Sequence, residues 1–137
     1  MMRRHWLFFS LFFMTFHNIS FAQSDPCADA DSQAAINECM SNVYKKADIS
    51  LNIVYKQASS RLKDNMEQHS KLVEAQRAWL KFRDAECAFA TGSAGTGSAS
   101  SMISMTCLTS LTEQRTKQLH DYMQCPEGDI SCPIPRQ

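Results

Sequence analysis

Six cysteines, at positions 27, 39, 87, 107, 125 and 132, constrain this 137-residue chain more than any other feature, because all follow an apolar leader. Arg3, Arg4 and His5 precede an apolar stretch from Trp6 to Phe16, and Ser20-Phe21-Ala22 supplies small residues for cleavage before Gln23. That layout predicts a cleaved secretory signal peptide over residues 1–22. The apolar run is well short of the ~20 residues that cross a bilayer, so no stable membrane insertion is expected after cleavage. No cysteine directly follows the small residues, which argues against a lipid anchor. The expected location is therefore the periplasm or the medium, where an even set of cysteines in a short exported chain forms a disulfide framework.

Charge narrows the function classes. Arg3 and Arg4 leave with the leader, so the balance of 14 basic and 14 acidic residues becomes a net −2 in the remaining chain. Nucleic acid demands a dense positive surface, which this composition does not supply. A mildly acidic chain permits a cationic partner without demanding one.

Apolar spacing predicts an all-α fold. Ile36, Met40, Val43, Tyr44, Ala47, Leu51, Val54, Tyr55, Ala58 and Leu62 recur at helical steps, with Asp31 or Ser32 as the N-cap. The polar segment 63–70 reads as a link, with Asn65 a breaker and Ser70 the cap of a second helix. Leu72, Ala75, Trp79, Phe82, Ala85 and Phe89 form the expected core stripe of that helix, which ends at the Gly/Ser stretch after Thr91. A third helix runs through Met102, Met105, Leu108, Leu111, Leu119 and Tyr122. The architecture expected is a small antiparallel three-helix hairpin or bundle over residues 23–124. Residues 125–137 form a proline-containing tail that cannot continue a helix.

Six cysteines admit many pairings, so geometry has to choose. Folding the third helix back about residue 96 sets Cys107 within a turn of Cys87, which predicts Cys87–Cys107 clamped across the Gly/Ser loop. Cys27–Cys39 then ties the N-terminal segment to the first helix, and Cys125–Cys132 closes a short loop in the tail. A domain this small needs such staples.

Chemistry of the usual catalytic kinds is missing from the pattern. His69 and His120 have no second ligand at metal spacing, and no C-x-x-C occurs. The chain reads as a non-enzyme with no metal and no cofactor. The charges of the central run read as an internal network. Arg83 falls four residues after Trp79 on one helix face, and fold-back places Asp48 opposite it. Arg115 on the third helix is expected to join through Asp84 or Glu86.

These residues resemble the LprI-type lysozyme-inhibitor family of small secreted or periplasmic bacterial proteins. The resemblance rests on Cys39, Ala47-Asp48, Leu51-Asn52 and Tyr55, then on the block Ala75-Gln76-Arg77-Ala78-Trp79, Phe82-Arg83-Asp84 and Cys87. Cys107, Thr112 and Arg115 complete it, while the Cys125/Cys132 tail is extra to the pattern. It implies a helical domain that binds a protein, with a lysozyme as the leading partner.

Lysozyme works between two carboxyl groups in a cleft, so an inhibitor needs a rigid body and an element that fills that cleft. The loop from Thr91 to Ser101, with Gly92, Ser93, Gly95, Gly97 and Ser98, is the first candidate. The turn carrying Lys63, His69 and Lys71 is the second, because it offers cations to the carboxylates. The competing reading is a structural or interaction module of the cell envelope with no lysozyme target. An apolar patch beside the Gly/Ser loop favours the inhibitor, and a uniformly polar loop surface favours the module.

Overall fold

Two side-chain caps decide where the first two helices begin. In the computed structural model, which describes residues 25–126 and 128–134, the Ser32 hydroxyl accepts the Ala35 N–H and opens α1, Gln33–Arg61. Asn65 Oδ1 accepts the Gln68 N–H and opens α2, Met66–Thr91. Ser70, expected as that cap, lies inside α2. Asn65 wins because the chain turns at Leu62, with the Asn65 N–H bonded to the Leu62 carbonyl at 2.9 Å. Glu67 in the first turn then complements the helix dipole. A 3-10 turn over Gly92–Ala94 leads to α3, Ser100–Tyr122. The leader, 1–22, lies outside the described residues.

The fold is all-α, with no strand among the described residues, and its three disulfides are Cys27–Cys39, Cys87–Cys107 and Cys125–Cys132, the pairs expected. At one end Asn37 Nδ2 donates to the Ser98 carbonyl at 3.0 Å, and at the other Arg61 donates to the Met123 carbonyl at 2.8 Å. Hence α1 and α3 run parallel, and α2 runs against both.

The closest pair is α1 with α3, not the α1/α2 hairpin. Small side chains explain this. Ala47 and Ala58 on α1, with Thr109 and Thr112 on α3, are all buried and let the backbones approach. The inward side of α2 carries Trp79 and Arg83, whose bulk holds it further from α1. Leu51, Leu62, Leu72, Leu119 and Met123 then fill the core near the α1–α2 turn. Ile134 joins them, fully buried, so the tail outside the family pattern completes this end of the core. The Cys125–Cys132 bridge turns the chain back to make that possible.

The expected core stripe of α2 also fails. The inward stripe of α2 is Leu72, Gln76, Arg83 and Cys87, with Trp79 partly buried, whereas Ala75, Phe82, Ala85 and Phe89 face solvent. Both sets have helical spacing, and hydrophobicity alone selects the wrong one because the true core face includes a glutamine and an arginine. The Cys87–Cys107 bridge pins the polar-containing face inward.

Two substitutions test the packing. Thr112 is 0% exposed and its hydroxyl has no hydrogen-bond partner. A desolvated, uncompensated hydroxyl is a net cost, so Thr112→Val should raise unfolding free energy by about 1 kcal/mol. Ile134→Ala should lower it by about 2–4 kcal/mol through loss of a buried side chain and the cavity left behind. Urea denaturation of the oxidised protein measures both; a destabilised Thr112→Val would refute the account of the α1/α3 seam.

Candidate functional site

Arg83 carries its charge into the interior, with a side chain only 8% exposed. Its Nε donates to Asp84 Oδ1 at 2.9 Å and its Nη2 lies 2.7 Å from the same oxygen. Asp48 Oδ1 stands 3.7 Å from Nη1, an ion pair too long for a hydrogen bond, and Nη1 has no hydrogen-bond partner. Aromatic rings supply the rest of its surroundings, with the guanidinium 5.4 Å from the Trp79 ring and 5.7 Å from the Tyr44 ring. Weak hydration of guanidinium and its attraction to π faces make arginine the cation suited to such a place.

Arg115 approaches the same indole, 5.9 Å from the Trp79 ring. It donates to Gln76 Oε1 at 3.0 Å and to Gln118 Oε1 at 2.6 Å, where the sequence had suggested Asp84 or Glu86. Burial holds its pKa below the ordinary value. Asp48, Trp79, Arg83, Asp84 and Arg115 therefore converge around one ring, from all three helices. The two arginines of this cluster are too enclosed to meet a macromolecule, whereas the Asp48 and Asp84 carboxylates reach solvent. The cluster sets the spacing of α2 from α1 and α3.

The Gly/Ser segment is accessible. Gly92, Ser93, Gly95, Gly97 and Ser98 are exposed. Gly95 sits at φ +67°, a left-handed conformation that favours glycine, and the space around Gly92, Gly95 and Gly97 is open. Cys87–Cys107 closes the base of the loop, and Thr91 Oγ1 caps the Cys87 carbonyl at 2.6 Å. Beside it Ala85, Ala88, Phe89 and Ala90 are exposed on the last turns of α2, with Phe89 83% exposed. Sequence reasoning placed Phe89 in the core; no periodicity signal distinguishes the two faces of α2.

Lys63, His69 and Lys71 lie at the opposite end of the bundle. His69 Nε2 is 2.7 Å from the Ser59 hydroxyl, which ties α2 to α1, and Lys71 is paired with Glu67 at 2.6 Å. Only Lys63 is left on the turn without a partner in this set. A third region, not foreseen, is an open groove of ≈ 600 Å³ between α1 and α3. Val43, Ala47 and Val54 line it together with Lys46, Lys117 and His120. Lys117 is already paired with Asp121. Among the described residues no group of His, Cys, Asp and Glu is placed to hold a metal, and no helix is long and apolar enough to cross a membrane.

The asymmetry of exposure around Arg83 gives a ranking. Asp48 and Asp84 side chains are 41% and 63% exposed, so removing Arg83 leaves solvated carboxylates, while removing both carboxylates strands a buried cation. Asp48→Asn/Asp84→Asn should thus destabilise more than Arg83→Met, by about 2 kcal/mol against about 1, after allowing for solvent screening. Equal losses in denaturant titrations would show that the ion pairs are immaterial. Burial also raises the Tyr44 pKa above 10.0, opposed by Arg83 and assisted by Asp48 and Asp84. The phenol therefore contributes full stability below pH 10.0 and loses it as pH rises through the folded value. Tyr44→Phe should flatten that alkaline loss in melts recorded across the range.

The family model described as "Lysozyme inhibitor LprI" matches residues 24–119. An uncharacterized protein of Rhizobium meliloti (strain 1021) is 33% identical over 118 residues, covering 77% of this chain and 85% of its own. No solved structure matches. The matched span runs from the Cys27–Cys39 turn through the Arg83 cluster to Leu119, and on that basis the chain belongs to the LprI lysozyme-inhibitor family.

Proposed function

We propose that this protein is a lysozyme inhibitor acting outside the cytoplasm, exported through cleavage of residues 1–22. Family membership supports an inhibitor-like, protein-binding role. The observation that carries the finer reading is the exposed Gly/Ser loop, closed at its base by Cys87–Cys107 and flanked by Phe89. A loop of small uncharged residues fits a narrow cleft closely, and closing it beforehand reduces the ordering cost of binding. An apolar side chain at its shoulder supplies the kind of anchor that dominates interface energy. The Lys63, His69 and Lys71 turn is a weaker candidate, since two of its members are engaged within the fold.

The scaffold suits the task. Closing a loop with the 20-residue separation of Cys87 and Cys107 is worth about 3 kcal/mol in the chain-entropy picture. Inhibition is then tied to the oxidised state. In turbidity assays of peptidoglycan lysis by chicken-type lysozyme, the purified oxidised protein should abolish lysis stoichiometrically. Reduction, or Cys87→Ser/Cys107→Ser, should remove most of the effect. No inhibition at large molar excess, repeated with goose- and invertebrate-type enzymes, would leave an envelope interaction module with another protein as its target.

A further inference from the structure

The outward face of α2 carries an apolar pattern that the described fold does not cover. Ala75, Ala78, Phe82, Ala85 and Phe89 recur at alternating steps of three and four, and all five are exposed. Phe82 is 54% exposed and Phe89 83%. At ~1.5 Å per residue these side chains form one seam about 20 Å long. Apolar residues alternating at three and four make the stripe by which one helix packs along another. The buried stripe of α2, Leu72, Gln76, Arg83 and Cys87, lies on a different side of the same helix. Charges border the exposed seam. Lys81 precedes Phe82 on one flank, and Glu86 follows it by about one turn on the other. Neither side chain is in an ion pair among the described residues.

We propose that this seam is covered by a second copy of the chain, with the two α2 helices side by side, parallel and in register. Phe82 and Phe89 then meet their own counterparts, and the alanines between them let the helices approach. Lys81 of each copy pairs with Glu86 of the other, because flanking charges meet across parallel helices at this offset. The seam is thus self-complementary, as a two-fold contact requires. An antiparallel pair that seats both phenylalanines on alanines leaves Lys81 and Glu86 without an opposite charge. Two phenylalanines and three alanines from each copy make a small contact, so the association is weak and depends on concentration. Both Gly/Ser loops lie at the same end of the dimer. Phe89 belongs to the seam and to the shoulder of the loop, so a protein bound there competes with the second copy for it. The inference goes beyond the inhibitor reading and does not depend on it.

Sedimentation equilibrium of the oxidised protein without residues 1–22, over a wide concentration range, should show a reversible monomer–dimer equilibrium. Phe82→Ser should raise the dimer dissociation constant by about tenfold or more. Ile49→Ser/Ile53→Ser removes two side chains of α1 that are 59% and 52% exposed, and should leave the constant within about twofold of the parent. Lys81→Glu and Glu86→Lys each set like charges together, and each should raise it by about threefold. The double variant Lys81→Glu/Glu86→Lys restores the pair and should return to within about twofold of the parent. Thermal melts verify that each variant is folded. A monomer at every concentration, an unchanged Phe82→Ser, or equal losses from Phe82→Ser and the α1 variant would overturn the dimer. A monomeric parent whose lysozyme inhibition is weakened by Phe82→Ser would assign the seam to the enzyme instead. Single charge variants without effect, or a double variant that recovers nothing, would overturn the parallel register.

Discussion

The Cys87–Cys107 bridge determines the rotation of α2, and most of the molecule's character follows from that rotation. With Cys87 facing α3, residues one to four turns earlier on the same stripe face inward as well. Those positions are Arg83, Trp79, Gln76 and Leu72, so a cation and an amide are carried into the interior with the indole. The opposite consequence is that Phe82 and Phe89 are turned out. A disulfide between two adjacent helices therefore acts as more than a staple here. It selects which of two helically spaced faces is the core.

Having been turned inward, Arg83 has to be accommodated, and the surroundings do so by several weak means in place of one strong one. Asp84 supplies a close pair from the helix's own surface, Asp48 a longer one from α1, and Trp79 and Tyr44 supply π faces. Arg115 is accommodated differently, by two amide oxygens. The carboxylates remain partly in water, which limits their desolvation cost. Groups this bulky between α2 and its neighbours leave α1 and α3, with their alanines and threonines, as the tightly packed pair. The core then closes at the far end with Leu62, Leu72, Met123 and the returning Ile134.

This division separates a packed end from one with more exposed apolar surface. The α1–α2 turn, the tail and the main apolar cluster lie together and carry the packing. The Gly/Ser loop and the last turns of α2 lie at the other end and carry exposed apolar surface, Phe89 foremost. Membership of the LprI family implies an inhibitor-like, protein-binding role. A fold of this kind specifies a scaffold more firmly than a target.

By itself the sequence determined three helices, the three disulfides, the break after Thr91 and the convergence of Asp48 with Arg83, because each depends on local spacing or on simple fold-back distance. It also displayed the whole block by which the family is identified. What only the tertiary structure decided is which face of α2 is buried, which helices pack closest and where the tail goes. Side-chain hydrophobicity ranks Phe89 above Arg83 for burial, and only partners brought from α1 and α3 reverse that order.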